Sequence, residues 1–413
     1  MPEGGIFTSS VADSRLRVAC LSTYLPRRCG IATYTANMIE SASADARQPQ
    51  FSVLAISDTP GAYKYGPPVI FEIAWDDEKD YARAAELVNE SPIDVVSVQH
   101  EFGIFGGENG HLVLEFLRRV KKPVVVTLHT ILAEPDMEKV EVVRAIARRS
   151  TMLVAMLRKG IDILEESYGI PRRKVTFVPH GVPAIRARSR QEIRSNLGLD
   201  GSRVICTFGL INPGKGIEYM IMAMPEIVKA VPDAIYLVLG STHPEVKKRY
   251  GEAYRQGLIK LSRDLGVGRH VRFVDSYLTE RELVEYLLAC DVYVTPYVSR
   301  EQITSGTLAY ALGLGKAIVS TRYYYAEEML SGGRGILVDF RNPAGLAEAV
   351  TKVLSSDELR SGMERATALL GASMSWPKVG SLYAKIFADA ATRGSLIAAG
   401  TVSKTARKTS TMR

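Results

Sequence analysis

The stretch TFGLINPGKGIEYM (207–220) has the makings of an anion cradle. A β-branched, aromatic run ends at Gly209, a loop with Pro213 and Gly214 follows, and a helical pattern opens near Gly216. Such a strand–loop–helix turns backbone N–H groups and the positive end of the helix dipole toward an anion. Lys215 adds a mobile positive charge beside it. The spelling G-x-x-x-x-G-K-G is one residue from an ATPase phosphate loop, whose eighth position must carry a hydroxyl for Mg²⁺. Gly216 stands there, which argues against a P-loop NTPase. The plainer alternative is an ordinary strand-to-helix turn with a solvent lysine.

A second stretch, PYVSREQITSGTLAYALGLGKAIVST (296–321), ends a strand at Pro296 and opens a helix near Ser305–Gly306. Thr304, Ser305, Gly306 and Thr307 bring small hydroxyls and amides to a helix N-terminus, another anion site. Capping alone would account for Thr304 or Ser305. Glu301 and Gln302, just upstream, reach sugar hydroxyls if the site faces a cleft. A third stretch, LSTYLPRRCGIATYTANM (21–38), carries Arg27 and Arg28 ahead of Gly30, where a missing Cβ permits close backbone approach to a ligand. The two arginines face either an anion or solvent. No G-x-G-x-x-G lies nearby, so a dinucleotide reading is weak.

His100, His129 and His180 each end a strand-like run. A lone histidine is usually structural; three at the sheet edge where ligands bind are less easily set aside. They lack H-E-x-x-H or other local metal spacing, and no zinc or other metal site is expected. The acidic run DDEKD (76–80) reads as the start of a helix, where acids cap and favour the dipole. Tyr323, Tyr324 and Tyr325 read as packing or sugar-stacking residues.

The elements that must position these groups alternate along the chain. Strand-like runs are RVACLS (17–22), FSVLAIS (51–57), DVVSVQH (94–100), PVVVTLH (123–129), TMLVAM (151–156) and KVTFVPHG (174–181). After a polar stretch at 182–203, read in part as a connection, they resume: RVICTFG (203–209), AIYLVLG (234–240), HVRFVDS (270–276), DVYVTPY (291–297), KAIVST (316–321) and GILVDF (335–340). Helical patterns fill the intervals, and a last amphipathic one runs from about Trp376 to Ala390. Continuous apolar strands alternating with helices mean parallel sheets covered on both faces. The expected fold is α/β: two tandem Rossmann-like domains facing a cleft, with ligands outside the carboxyl ends of the strands.

Composition fits. The 413 residues are 46% hydrophobic and 23% charged, which excludes a disordered chain and a coiled-coil rod. Cys20, Cys29, Cys206 and Cys290 form no C-x-x-C pair, as expected of reduced thiols in a cytoplasmic protein. Residues 1–14 lack an apolar signal region, and no run is long enough to span a membrane. The net charge is +7, of which Lys404, Arg407, Lys408 and Arg413 supply four. The excess therefore sits in a tail rather than on a nucleic-acid-binding face. That tail is expected to be disordered and suited to weak peripheral contact with anionic lipid at the inner membrane face.

Taken together, GLINPGKG, PRRCGIATYT, VQHEFGIFGG, QITSGTLAYALGLGKAIVSTRYYYAEEML and GGRGILVDF resemble the GT-B glycosyltransferases of the retaining family 4 type (glycosyl transferases group 1), in a prokaryotic subgroup. The resemblance covers about 16–391. It implies a flexible N-terminus (1–14), an acceptor domain (15–190) completed by a crossover helix (375–391), a donor domain (191–374) and a basic disordered tail (392–413). It also implies metal-independent transfer without a cofactor, from a nucleotide-diphosphate sugar such as UDP-glucose or GDP-mannose, to a saccharide or other hydroxyl acceptor. Lys215 matches the lysine on the donor diphosphate, His129 the histidine near the donor sugar, Gly30 the glycine loop beside the donor phosphate, and Glu328 a glutamate after the last cleft strand.

Gly209, Gly214 and 304–307 fall in the phosphate loops, and Tyr277–Leu278 where the base would meet backbone. Two departures stand out. Leu210 occupies the place of an arginine, and the E-x₇-E pair falls on Gln302 and Tyr310, with Glu301 one residue off. Lys215, His129 and Glu301 are the expected catalytic residues. A sugar phosphorylase or sugar-phosphate synthase on the same fold, and a silent nucleotide-sugar- or glycan-binding protein, are the alternatives; a P-loop kinase ranks third. Oligomeric state is left open.

Overall fold

The computed structural model describes residues 15–183 and 189–409. The expected N-terminal segment 1–14, residues 184–188 of the connection and the last four residues of the tail lie outside them.

The first sheet is built from β1 (Arg17–Ser22), β2 (Gln50–Ser57), β3 (Val69–Ala74), β4 (Val95–His100), β5 (Val124–Leu128), β6 (Met152–Ala155) and β7 (Val175–Phe177), in the order β3-β2-β1-β4-β5-β6-β7. The second holds β8 (Arg203–Phe208), β9 (Ala234–Leu239), β10 (Val271–Val274), β11 (Val292–Thr295), β12 (Ala317–Thr321) and β13 (Gly335–Val338), in the order β10-β9-β8-β11-β12-β13. Neighbours pair in parallel, as in β1 with β2 and β4, and β8 with β9 and β11. Central strands such as β4, β5 and β12 are buried along their whole length, which explains why they read as largely apolar runs without alternation.

By compactness the chain divides into one unit of Met1–Leu128, Met137–Val154 and Gly380–Arg413, and another of His129–Asp136 and Ala155–Val379. In the second unit, Ile205, Tyr236, Val292 and Val319 of the sheet pack with Met220, Met224 and Ile227 of the Ile217–Ala230 helix and with Val350 and Val353 of the Pro343–Ser355 helix. Each such aliphatic side chain contributes roughly 1.5–3 kcal/mol by burial.

This core fixes the strand ends. In the second sheet the chain winds outward from β8 to β10, then returns to β11 on the other side of β8. Strand order reverses between β8 and β11, and loops leaving their carboxyl ends diverge to leave a crevice. The Gly209–Gly216 loop and the Pro296–Ser305 loop are those two.

Three features depart from the sequence reading. Strand β3 (VIFEIA) lies outside the sequence reading although it is apolar but for Glu72; it directly follows Pro67–Pro68, a turn signal, and lies at the sheet edge, only partly buried. The polar connection contains a helix, Arg190–Asn196, capped by Ser189. The buried Asp291 carboxylate ties it down, accepting from Arg190 at 2.7 Å and from the Val204 N–H at 2.7 Å. The last helix runs from Trp376 to Thr409, well past the expected end near 391, so 392–409 is helix rather than disordered tail. No proline follows Pro377, and an established helix gains a hydrogen bond for each residue it adds.

Candidate functional site

Asn212 begins the cradle. Its side chain caps the turn Pro213–Lys215 by accepting from the Gly214 N–H at 2.9 Å. Gly216 closes the turn in the left-handed region (φ 61°) and starts the Ile217–Ala230 helix. A Cβ there would lie 2.0 Å from the Pro296 carbonyl oxygen, so only glycine lets the two switch-point loops touch. Gly209 sits at φ 127°, a region that favours glycine, and a Cβ there would lie 3.2 Å from Thr307 Cγ2 and 3.3 Å from Lys215 Nζ. Gly209 is thus the floor on which Lys215 and Thr307 meet.

Ser305 caps the Gly306–Gly313 helix by accepting from the Leu308 N–H. The Gly306 and Thr307 amides, in the first turn, have no partner inside the helix. Thr307 Oγ1 lies 3.2 Å from Ser305 Oγ and 2.6 Å from the Tyr297 hydroxyl, which Lys215 Nζ reaches at 2.6 Å. Lysine ammonium, three hydroxyls and a helix N-terminus therefore converge. That arrangement suits a polyanion such as a diphosphate. Tyr297 is the residue the sequence reading passed over. Its position, directly after Pro296 at the end of β11, was the available signal.

A cavity of about 220 Å³ lies on the same loop, lined by His129, Thr130, Ser299, Glu301, Gln302 and Thr304. His129 is nearly buried at the end of β5. Gln302 donates from its amide to the Thr304 carbonyl at 3.1 Å. The Thr304 hydroxyl is shut off from solvent without a hydrogen-bond partner, at a cost of about 1–3 kcal/mol. Both expected glutamates are engaged by backbone. The Ala133 N–H donates to Glu301 Oε2 at 2.7 Å, and the Arg158 and Lys159 N–H groups donate to the two Glu328 oxygens at 3.1 and 2.9 Å.

Other expectations fall elsewhere. Tyr310 is in the core, its ring edge-on to Phe208 at 6.2 Å, so a packed ring stands where the resemblance puts the second glutamate of its E-x₇-E pair. Tyr277 and Leu278 follow β10, the edge strand, two strands from β8. Gly30, in the first unit, opens the Gly30–Ser43 helix behind the Cys29 cap, with open space where a Cβ would be. Arg27 pairs with Asp58 at 3.3 Å. His100 is wedged between Phe102 and Phe105 and is a core residue. His180 packs its Nε2 against Gly306, 3.2 Å from where a Cβ would be. Burial pushes the pKa of each of these two histidines down to about 4. Tyr323 and Tyr325 are fully buried packing residues. Asp77 caps the Glu78–Glu90 helix, as the DDEKD run implied. All four cysteines are free thiols. Among the described residues no group of three or more His, Cys, Asp or Glu side chains is placed to hold a metal ion.

Two parallel-sheet α/β domains with ligand loops at a switch point are the architecture of the GT-B glycosyltransferases. The HepE protein of Anabaena, solved in complex with UDP-glucose, shares this fold with a TM-score of 0.71 at 15% identity, over 90% of this chain and 99% of that one. Residues 189–369 match the family model described as "Glycosyl transferases group 1". Two curated relatives are the spore coat protein SA of Bacillus subtilis, 28% identical over 42% of this chain and 45% of that protein, and the D-inositol 3-phosphate glycosyltransferase of Corynebacterium diphtheriae, 28% identical over 49% and 47%. The chain thus spans just under half the length of these relatives. It has the GT-B fold, and its residues 189–369 resemble glycosyl transferases group 1.

Proposed function

We propose that the chain is a retaining hexosyltransferase. It moves glucose or mannose from a nucleotide-diphosphate sugar, UDP-glucose or GDP-mannose, to a saccharide or other hydroxyl acceptor. One observation carries the reading: Lys215 Nζ, Thr307 and the first turn of the Gly306–Gly313 helix meet over Gly209. As the bond from the anomeric carbon to the diphosphate breaks, the sugar becomes oxocarbenium-like and negative charge grows on the leaving phosphate. A fixed ammonium and helix amides stabilise that charge most in the transition state. The acceptor oxygen bonds to the anomeric carbon on the face the phosphate leaves and passes its proton to that phosphate. The sugar occupies the cavity beside His129, Gln302 and Thr304, whose unpartnered hydroxyl supports a ligand there. The base lies toward Tyr277–Leu278. In this reading 191–374 is the donor domain and 15–190 with 375–391 the acceptor domain.

No helix among the described residues is long and apolar enough to cross a membrane. We place the protein in the cytoplasm, with peripheral contact at the inner membrane face through the basic C-terminal segment. A second reading, a nucleotide-sugar-binding protein without turnover, is favoured by the engagement of Glu301 and Glu328 with backbone amides.

Thermal-shift titration with UDP-, GDP- and ADP-sugars tests the donor. A ligand at a hundred times its Kd adds about 2.7 kcal/mol of stability. Lys215→Ala is expected to remove most of that shift and to cut kcat about 10²–10³-fold with the fold intact. No shift with any nucleotide sugar, or near-wild-type turnover by Lys215→Ala, overturns the proposal. Binding without transfer or hydrolysis across an acceptor panel selects the second reading.

A further inference from the structure

Tyr297 has no part in the transfer step described above, yet the site is built around it. It is 2% exposed and lies two residues past the end of β11. Thr321 Oγ1 donates to its carbonyl at 2.7 Å, and its ring stacks on Tyr323 with centroids 5.1 Å apart and planes 19° from parallel. Backbone and ring are therefore fixed before any ligand arrives. Lys215 Nζ lies 4.2 Å from the Tyr297 ring centroid and 2.6 Å from its hydroxyl oxygen. An ammonium can only donate, so the phenol oxygen accepts from Lys215, and it shares a second hydrogen bond with Thr307 Oγ1, 2.6 Å away.

A free lysine stem carries about 2 kcal/mol of rotamer entropy and would sweep through solvent. Here one side chain offers the ammonium both a π face and an acceptor, and links it to the hydroxyl at the helix N-terminus. Burial opposes ionisation of the phenol most strongly. The Lys215 charge and the hydrogen bonds from Lys215, Thr307 and Ser305 outweigh it and hold the phenol below its ordinary value. The hydroxyl is thus electrostatically engaged as well as packed.

We propose that Tyr297 is a positioning residue of the diphosphate site: its hydroxyl and ring hold the Lys215 ammonium against the first turn of the Gly306–Gly313 helix, and so set the affinity for the donor's diphosphate. This rests on reading the site as a nucleotide-diphosphate sugar site. The role is indirect and runs through Lys215, which gives it a signature that packing lacks. Tyr297→Phe removes one oxygen and keeps the ring, its stacking and its contact with the ammonium.

The test is calorimetric titration of the full chain with UDP, GDP and ADP, and with the corresponding nucleosides. Tyr297→Phe should weaken the bound diphosphate at least about tenfold, the size of one charge-assisted hydrogen bond, and leave nucleoside affinity unchanged. In a Lys215→Ala background the same substitution should change the diphosphate Kd by less than about twofold, because residues that act as a unit are not additive. If the wild-type chain binds none of the three diphosphates, the underlying site reading fails. If it binds one but Tyr297→Phe matches it, or the loss persists undiminished beside Lys215→Ala, the positioning role alone is overturned.

Discussion

Glu301 Oε2 accepts the backbone N–H of Ala133 at 2.7 Å, so the carboxylate expected to do chemistry also tethers the segment that follows His129. A glutamine keeps an acceptor at that position, whereas an alanine leaves the amide unpaired. Glu301→Gln should therefore hold kcat/KM within about threefold of wild type. Glu301→Ala should lose about 10- to 100-fold, matching the 1.5–3 kcal/mol of a hydrogen bond to a charged group. Steady-state kinetics on both variants decide the matter. A Glu301→Gln enzyme as impaired as Glu301→Ala would assign the negative charge itself to the reaction.

Gly216 tests whether the two switch-point loops must touch. Any Cβ there meets the Pro296 carbonyl at 2.0 Å, in a backbone region (φ 61°) that costs other residues about 1–2 kcal/mol before the clash is counted. Gly216→Ala should destabilise the fold by about 2 kcal/mol or more and weaken diphosphate binding, since Lys215 is the preceding residue. Denaturant melts and calorimetry measure both. Unchanged melting would mean the loops separate freely and the cradle is not fixed by this contact.

Acid should weaken the fold through His100. Buried against Phe102 and Phe105, with neither ring nitrogen hydrogen-bonded, it is pushed by burial from an ordinary 6.5 down to about 4. Below pH 6.5 the unfolded chain takes up a proton that the folded chain refuses. Stability is therefore full above about 6.5, falls as pH drops toward 4, and levels off below. The loss is roughly 3 kcal/mol for this residue. His180, also lowered to about 4 by burial and partly restored by its contact with the Gly181 carbonyl, adds a loss of the same sign. His100→Leu should flatten the slope of urea-unfolding free energy between pH 4 and 6.5. A variant as acid-sensitive as wild type would rule out this histidine as a source.

How far the sequence revealed this follows from where the signals lie. Strands β4, β5, β8 and β12 announce themselves because their middle residues are buried and mostly apolar or small. Edge strand β3 is apolar but for Glu72, yet two prolines before it read as a turn, and its edge position leaves it only partly buried. Lys215, Gly216, Ser305 and Thr307 were legible because glycine turns and N-caps have local spacing. The Lys215–Tyr297 pair was not: 82 residues separate its members, and only the β8–β11 pairing brings them together. The engagement of Glu301 and Glu328 was hidden for the same reason, since their partners are backbone amides more than 160 residues away.

Glu328 separates a structural carboxylate from a ligand-binding one. The Arg158–Glu166 helix begins after Leu157, which offers no side-chain cap, and Glu328 supplies both acceptors to the Arg158 and Lys159 N–H groups. A carboxylate at a helix N-terminus also complements the dipole, and losing such a cap costs about 0.5–2 kcal/mol. Glu328→Ala should therefore lower the melting temperature by a few degrees. Its UDP or GDP affinity should fall far less than that of Lys215→Ala. Glutamine, with one carbonyl oxygen for two amides, should lie between alanine and wild type in stability. If Glu328→Ala instead melts like wild type and loses diphosphate-sugar affinity, the carboxylate leaves the helix when donor binds and becomes a donor ligand.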